Sequence, residues 1–119
     1  MSQLPESLRK DLKSLQAAID AVVEAPKVNQ ASIDRIYALL HNSKVNGEQL
    51  DFKLISSICA LACGILQRAR APDESTWRAV KAHVDALAII VDHNLAGDGG
   101  ELGRRMVDEL RGLAKAAGA

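Results

Sequence analysis

Aromatic residues are scarce in this chain: Tyr37, Phe52 and Trp77 make up 3% of 119 residues. Three rings give no platform on which successive bases could stack. An excess of one charge is missing as well. Fifteen basic and fifteen acidic residues give a formal net charge of zero, so nothing marks a surface for nucleic acid. No apolar run is long enough to span a bilayer. The two cysteines, Cys59 and Cys63, lack the second pair that a zinc site needs. On a helix they share a face and read as small buried packing residues. The run "GDGG" lacks a Gly-Lys-Ser/Thr ending and a preceding strand, so it reads as a loop rather than a phosphate cradle. The opening "MSQLPESLRKDL" has acids among its apolar and basic residues, unlike a signal or transit peptide. These absences predict a soluble cytoplasmic protein that needs no metal or cofactor.

What is present is helical periodicity. The length suits one domain over residues 1–119, burying roughly two-thirds of the surface its unfolded chain exposes. Leu8, Leu12, Leu15, Ile19 and Val22 recur at steps of four and three after Pro5, one stripe of an amphipathic helix. "APKVNQAS" breaks it. A second helix starts near Asn29 or Ser32, buries Ile33, Ile36, Tyr37 and Leu40, and ends between Gly47 and Leu50. Asp51 is the expected cap of a third helix with a wide apolar face from Leu54 to Leu66. Pro72 and Asp73 stop that helix and cap a fourth, which carries Trp77, Val80, Val84, Leu87, Ile90 or Val91, and Leu95. Asp98 and Glu101 have capping-box spacing before a fifth helix striped by Leu102, Met106, Leu110 and Leu113. Long amphipathic helices on short connections predict an all-α, antiparallel four-helix bundle with one additional flanking helix.

Among the histidines, His83 falls beside the fourth helix's stripe, at the border of the core. His93 falls near that helix's C-terminus, where the dipole favours a cation. Neither has a second ligand at metal spacing, and both read as structural. His41, in "LLHNSKVNGEQLDF", differs. It lies about 40° round the helix from Tyr37 and about 100° from Leu40, beside the buried stripe. Lys44, Val45 and Glu48 share its face. A neutral imidazole there can act as a nucleophile, and Lys44, one turn on, can meet the charge of a phosphoryl group. On spacing alone, a solvated helix face is the better account of the pair.

The stretch "YALLHNSKVNGEQLDFKLISSICALACGIL" resembles the histidine phosphotransfer domain. That family has an apolar lead-in, then His-x-x-Lys-Gly, small residues and a glycine before the next helix. His41 matches the phosphorylated histidine and Lys44 the lysine. Gly47 falls among the small residues, and Leu50 and Phe52 match the apolar and aromatic positions. The stretch from Val80 to Leu110 also resembles the C-terminal half of small stand-alone bacterial members. The resemblance, spanning roughly Ile33 to Leu113, implies a four-helix bundle in a two-component phosphorelay. Such a protein has no kinase activity of its own. Its partner is a receiver domain of a response regulator or hybrid kinase, which supplies the aspartyl phosphate, an acidic pocket and Mg²⁺. The chain departs from the family in two respects. Val45 stands where the family has glycine; Asp51 stands at the family's glycine before the aromatic, and Glu48 adds an acid one turn further on; Val45 and Glu48 would line the receiver-docking face. These departures leave two alternatives: a degenerate member acting as a phosphorylation-independent adaptor, or a bundle that self-associates through the stripe of its first helix.

Overall fold

A computed structural model of the chain describes residues 6–24, 30–49, 52–69, 73–93 and 99–118, with side chains through residue 115. Every regular element among them is an α-helix: α1 Glu6–Glu24, α2 Gln30–Gln49, α3 Lys53–Arg68, α4 Glu74–His93 and α5 Gly100–Gly118. Each of the first four helices packs on two of the others in the cyclic order α1–α2–α3–α4, and α4 returns to α1. α5 lies outside this ring, against α3 and α4. The architecture is therefore an all-α bundle of four helices with a fifth on its flank.

Polar ties across the ring fix the helix directions. Asn46 near the end of α2 donates to Asp11 near the start of α1 at 3.5 Å. Gln67 at the end of α3 donates to the Tyr37 hydroxyl of α2 at 2.7 Å. Lys81 early in α4 faces Asp20 late in α1 at 3.9 Å. Each pair joins opposite ends, so neighbours in the ring run antiparallel. α5 starts beside the start of α3: a Cβ placed on Gly99 would come within 2.5 Å of the Leu54 side chain. Gly99 also holds φ +74°, a conformation open to glycine at little cost.

The α1 stripe Leu8, Leu12, Leu15, Ile19 and Val22 is buried throughout, between α2 and α4. That stripe is therefore occupied within the chain and offers no dimer seam. α3 is the most deeply set helix, burying Leu54, Ile55, Ile58, Cys59, Ala62, Cys63, Ile65 and Leu66. Both thiols are free. Burial pushes the pKa of each up, which makes them inert packing groups.

The helix ends divide by their chemistry. Asp73 caps α4: its carboxylate accepts from the Thr76 amide at 2.9 Å and from the Thr76 hydroxyl at 3.0 Å. These bonds hold the Asp73 pKa below the usual carboxylate value. At α3 the N-cap is Phe52, with no side-chain cap, rather than Asp51, which lies outside the described residues. The Phe52 amide instead donates to Gly47 O at 2.8 Å, and the ring is buried in the core. Asn29, Leu50, Pro72, Leu95 and Asp98 also lie outside the described residues.

Two apolar expectations are corrected. His83 is not at the core border but fully buried, at 0% exposure. Its Nδ1 is 2.7 Å from Ala79 O; a carbonyl only accepts, so Nδ1 carries the proton. Nε2 is buried with no partner among the described residues. Burial lowers the His83 pKa, against the opposing pull of the Ala79 bond. On α5, Leu110 and Ala114 are buried and Met106 and Val107 partly so, while Leu102 and Leu113 stay exposed. The α5 contact is centred one step round from the leucine spacing, because α3 and α4 both approach from one side.

Candidate functional site

α2 presents two faces. Ile36, Leu40, Ser43 and Gly47 point into the bundle, a run at steps of four and three that anchors the helix along its length. His41, one position after buried Leu40, is carried outward and is exposed. Lys44 and Val45 are half-buried beside it, and Glu48 is exposed. The four residues share one face, as their spacing predicts.

Each side chain has a different setting. The His41 ring lies parallel to Tyr37, with an interplanar angle of 6° and centroids 6.4 Å apart. Tyr37 is itself held by the Gln67 amide of α3 at 2.7 Å. The imidazole thus stands over a ring fixed by the neighbouring helix. Lys44 leans towards the α2–α3 seam, close enough for its charge to offset part of the burial effect on Cys63. Glu48 accepts from the Ser56 hydroxyl of α3 at 3.1 Å, so its carboxylate is fixed at the end of the face. Between His41 and Lys44, Ser43 turns inward, and its buried hydroxyl has no partner among the described residues.

Gly47 accounts for the close approach of α2 and α3 below the site. A Cβ there would lie 3.0 Å from Phe52 O and 3.1 Å from Ser56 N. Both are backbone atoms that cannot swing aside, so a side chain would force the helices apart.

Two contacts of the site escaped the sequence: the Gln67–Tyr37 bond and the Ser56–Glu48 bond. Both join residues on different helices, so helical periodicity carries no trace of them. Tyr37, four residues before His41, was visible only as a buried-stripe residue. Among the described residues, no group of three His, Cys, Asp or Glu side chains could hold a metal ion, and no helix is long and apolar enough to cross a membrane.

The face thus combines an exposed imidazole, a cation one turn away, a fixed carboxylate at one end and a branched aliphatic between them, all on a helix anchored in a core. Such a set can carry a nucleophilic nitrogen and offset negative charge arriving on it. No protein-family model, curated protein or solved structure matches the chain.

Proposed function

We propose that the chain is a histidine phosphotransfer protein of a bacterial two-component phosphorelay, working in the cytoplasm. The observation that carries this reading is the exposed His41 imidazole on a rigid helix, with Lys44 on the same face one turn on. A ring nitrogen of His41 attacks the phosphorus of a receiver's aspartyl phosphate. The bond from phosphorus to the aspartyl oxygen breaks, the carboxylate leaves, and the proton on the other ring nitrogen passes to water. Lys44 meets the phosphoryl charge, and Val45 and Glu48 lie where the receiver docks. Return of the phosphoryl group to a second receiver is the same step reversed. The chain supplies position and countercharge, which phosphoryl transfer chiefly requires.

The test is transfer of radiolabel from a phosphorylated receiver of the same organism. Wild type takes up label and His41→Gln does not; equal labelling of the two overturns the assignment. Lys44→Ala is expected to slow transfer without abolishing it.

A second reading, a phosphorylation-independent adaptor of the same shape, is favoured by one observation. Glu48 is fixed by Ser56, placing a carboxylate where a receiver's acidic pocket would approach. Under that reading, receiver or kinase binding survives His41→Ala with unchanged affinity and is strengthened by Glu48→Gln.

A further inference from the structure

α5 has one flank towards α3 and another away from it. Arg104, Val107, Asp108 and Arg111 line a cavity of about 310 Å³ with Leu54 and Ser57 of α3. On the opposite flank stand Leu102, Met106, Glu109 and Leu113, at steps of four, three and four. Leu102 is 52% exposed and Leu113 46%, and Met106 is half-buried. This is the spacing of a coiled-coil seam, on a flank whose two leucines stay near half exposure among the described residues.

The seam is self-complementary. Leu102 and Leu113 stand equally far from the midpoint between Val107 and Asp108, and so do Met106 and Glu109. Turned about a two-fold axis through that midpoint, an antiparallel second copy sets Leu102 against Leu113 and Met106 against Glu109, each twice. Exposed Arg105 then reaches Glu109 of the second copy, offset by a single residue or about 1.5 Å. In the single chain Arg105 has only a loose pairing with Glu101 at 3.7 Å, both side chains more than three-quarters exposed. Arg105 and Glu109 thus give this flank charges of both signs. It therefore suits a surface with the same charges in reversed order better than an acidic or basic partner, and a two-fold interface brings together just such a pair.

We infer that α5 forms a two-fold antiparallel dimer with α5 of a second copy, through Leu102, Met106, Glu109 and Leu113 with Arg105 paired to Glu109 across the axis. The seam covers about two heptads, well short of the roughly 800 Å² per partner of a standard interface, so the dimer is weak and concentration-dependent. α2 packs on α1 and α3 and makes no contact with α5. The dimer therefore leaves both His41 side chains exposed. The inference stands apart from the phosphotransfer reading, because its readout is mass rather than label.

Sedimentation of the full chain over rising concentration tests it. The apparent mass is expected to climb from one chain towards two as concentration rises from micromolar towards millimolar. Leu102→Glu and Leu113→Glu each hold the chain at single mass with an unchanged helical circular-dichroism spectrum. Arg105→Glu and Glu109→Arg each weaken association, and the double exchange restores it. A chain of single mass up to millimolar concentration overturns the inference and assigns the flank to a different molecule. So does a dimer indifferent to both leucine substitutions.

Discussion

α1 and α5 stand at opposite ends of the chain and are built alike, nineteen residues each with apolar residues at three- and four-residue steps. They finish in different places. α1 enters the ring between α2 and α4, and all five residues of its stripe are buried. α5 lies across α3 and α4 from outside, and two of its leucines remain near half exposure. The difference lies in the neighbours. Two helices that embrace a stripe from both sides bury it whole; two that meet it from one side bury its centre and leave a flank. Stripe periodicity reports that a face will be covered, and the position of the neighbours decides how much of it is.

The largest test of this contrast removes each helix in turn. A chain starting at Gln30 is expected to lose cooperative urea unfolding, because the ring is opened. A chain ending at His93 keeps a sigmoidal transition at a lower midpoint. The reverse outcome would break the distinction between ring and flank.

Single side chains sharpen it. Leu15→Ala, at a fully buried α1 position, should lower unfolding free energy by about 2–5 kcal/mol. Leu102→Ala in dilute solution should stay within about 0.5 kcal/mol. Gly47→Ala falls between them. It gains about 1 kcal/mol of helix propensity but loads the α2–α3 seam against two backbone atoms, an overpacking cost of about 1–3 kcal/mol. A net loss, read by denaturant midpoint, is expected.

α4, which supports both terminal helices, supplies the pH dependence. The His83 pKa is lowered in the folded state, so the unfolded chain binds the extra proton first. Stability is therefore fully present above about pH 6.5 and falls as pH drops from there towards the folded value. His83→Leu should flatten that slope in urea titrations. Asp73→Ala removes the side-chain cap of α4 and should lower the melting temperature more than Leu102→Ala does. Because the Asp73 pKa is lowered on folding, the wild-type advantage is present above the unfolded carboxylate value and is lost as pH falls through the folded one.

Much of this arrangement is legible in the amino-acid order. The α1 stripe, the Asp73 cap and the end of α2 just beyond Gly47 all rest on interactions between residues a few positions apart, and the structure has each where those local rules put it. The outward turn of His41 follows from its place beside Leu40. What was not legible depends on distant residues. The start of α3 falls at Phe52, whose amide donates to Gly47 O and whose ring the core takes. His83 is drawn inside although its side chain is polar, since Ala79 O satisfies one nitrogen and the cost of the other is borne by the core around it. At the candidate site, helical spacing brought His41, Lys44, Val45 and Glu48 to one face, but the anchors Gln67 and Ser56 come from α3.

The tie between Gly47 and Phe52 also bears on the order of folding. The bonds joining α2 to α3 at this turn, Phe52 to Gly47 and Ser56 to Glu48, close loops of only a few residues. Closing the ring from α1 to α4, by contrast, brings Asp20 to Lys81 across about half of the chain. Short loops cost less entropy to close, so the hairpin bearing His41 is expected to form ahead of the ring. Substitutions at Gly47 should then slow refolding, whereas substitutions at Leu15 should chiefly hasten unfolding.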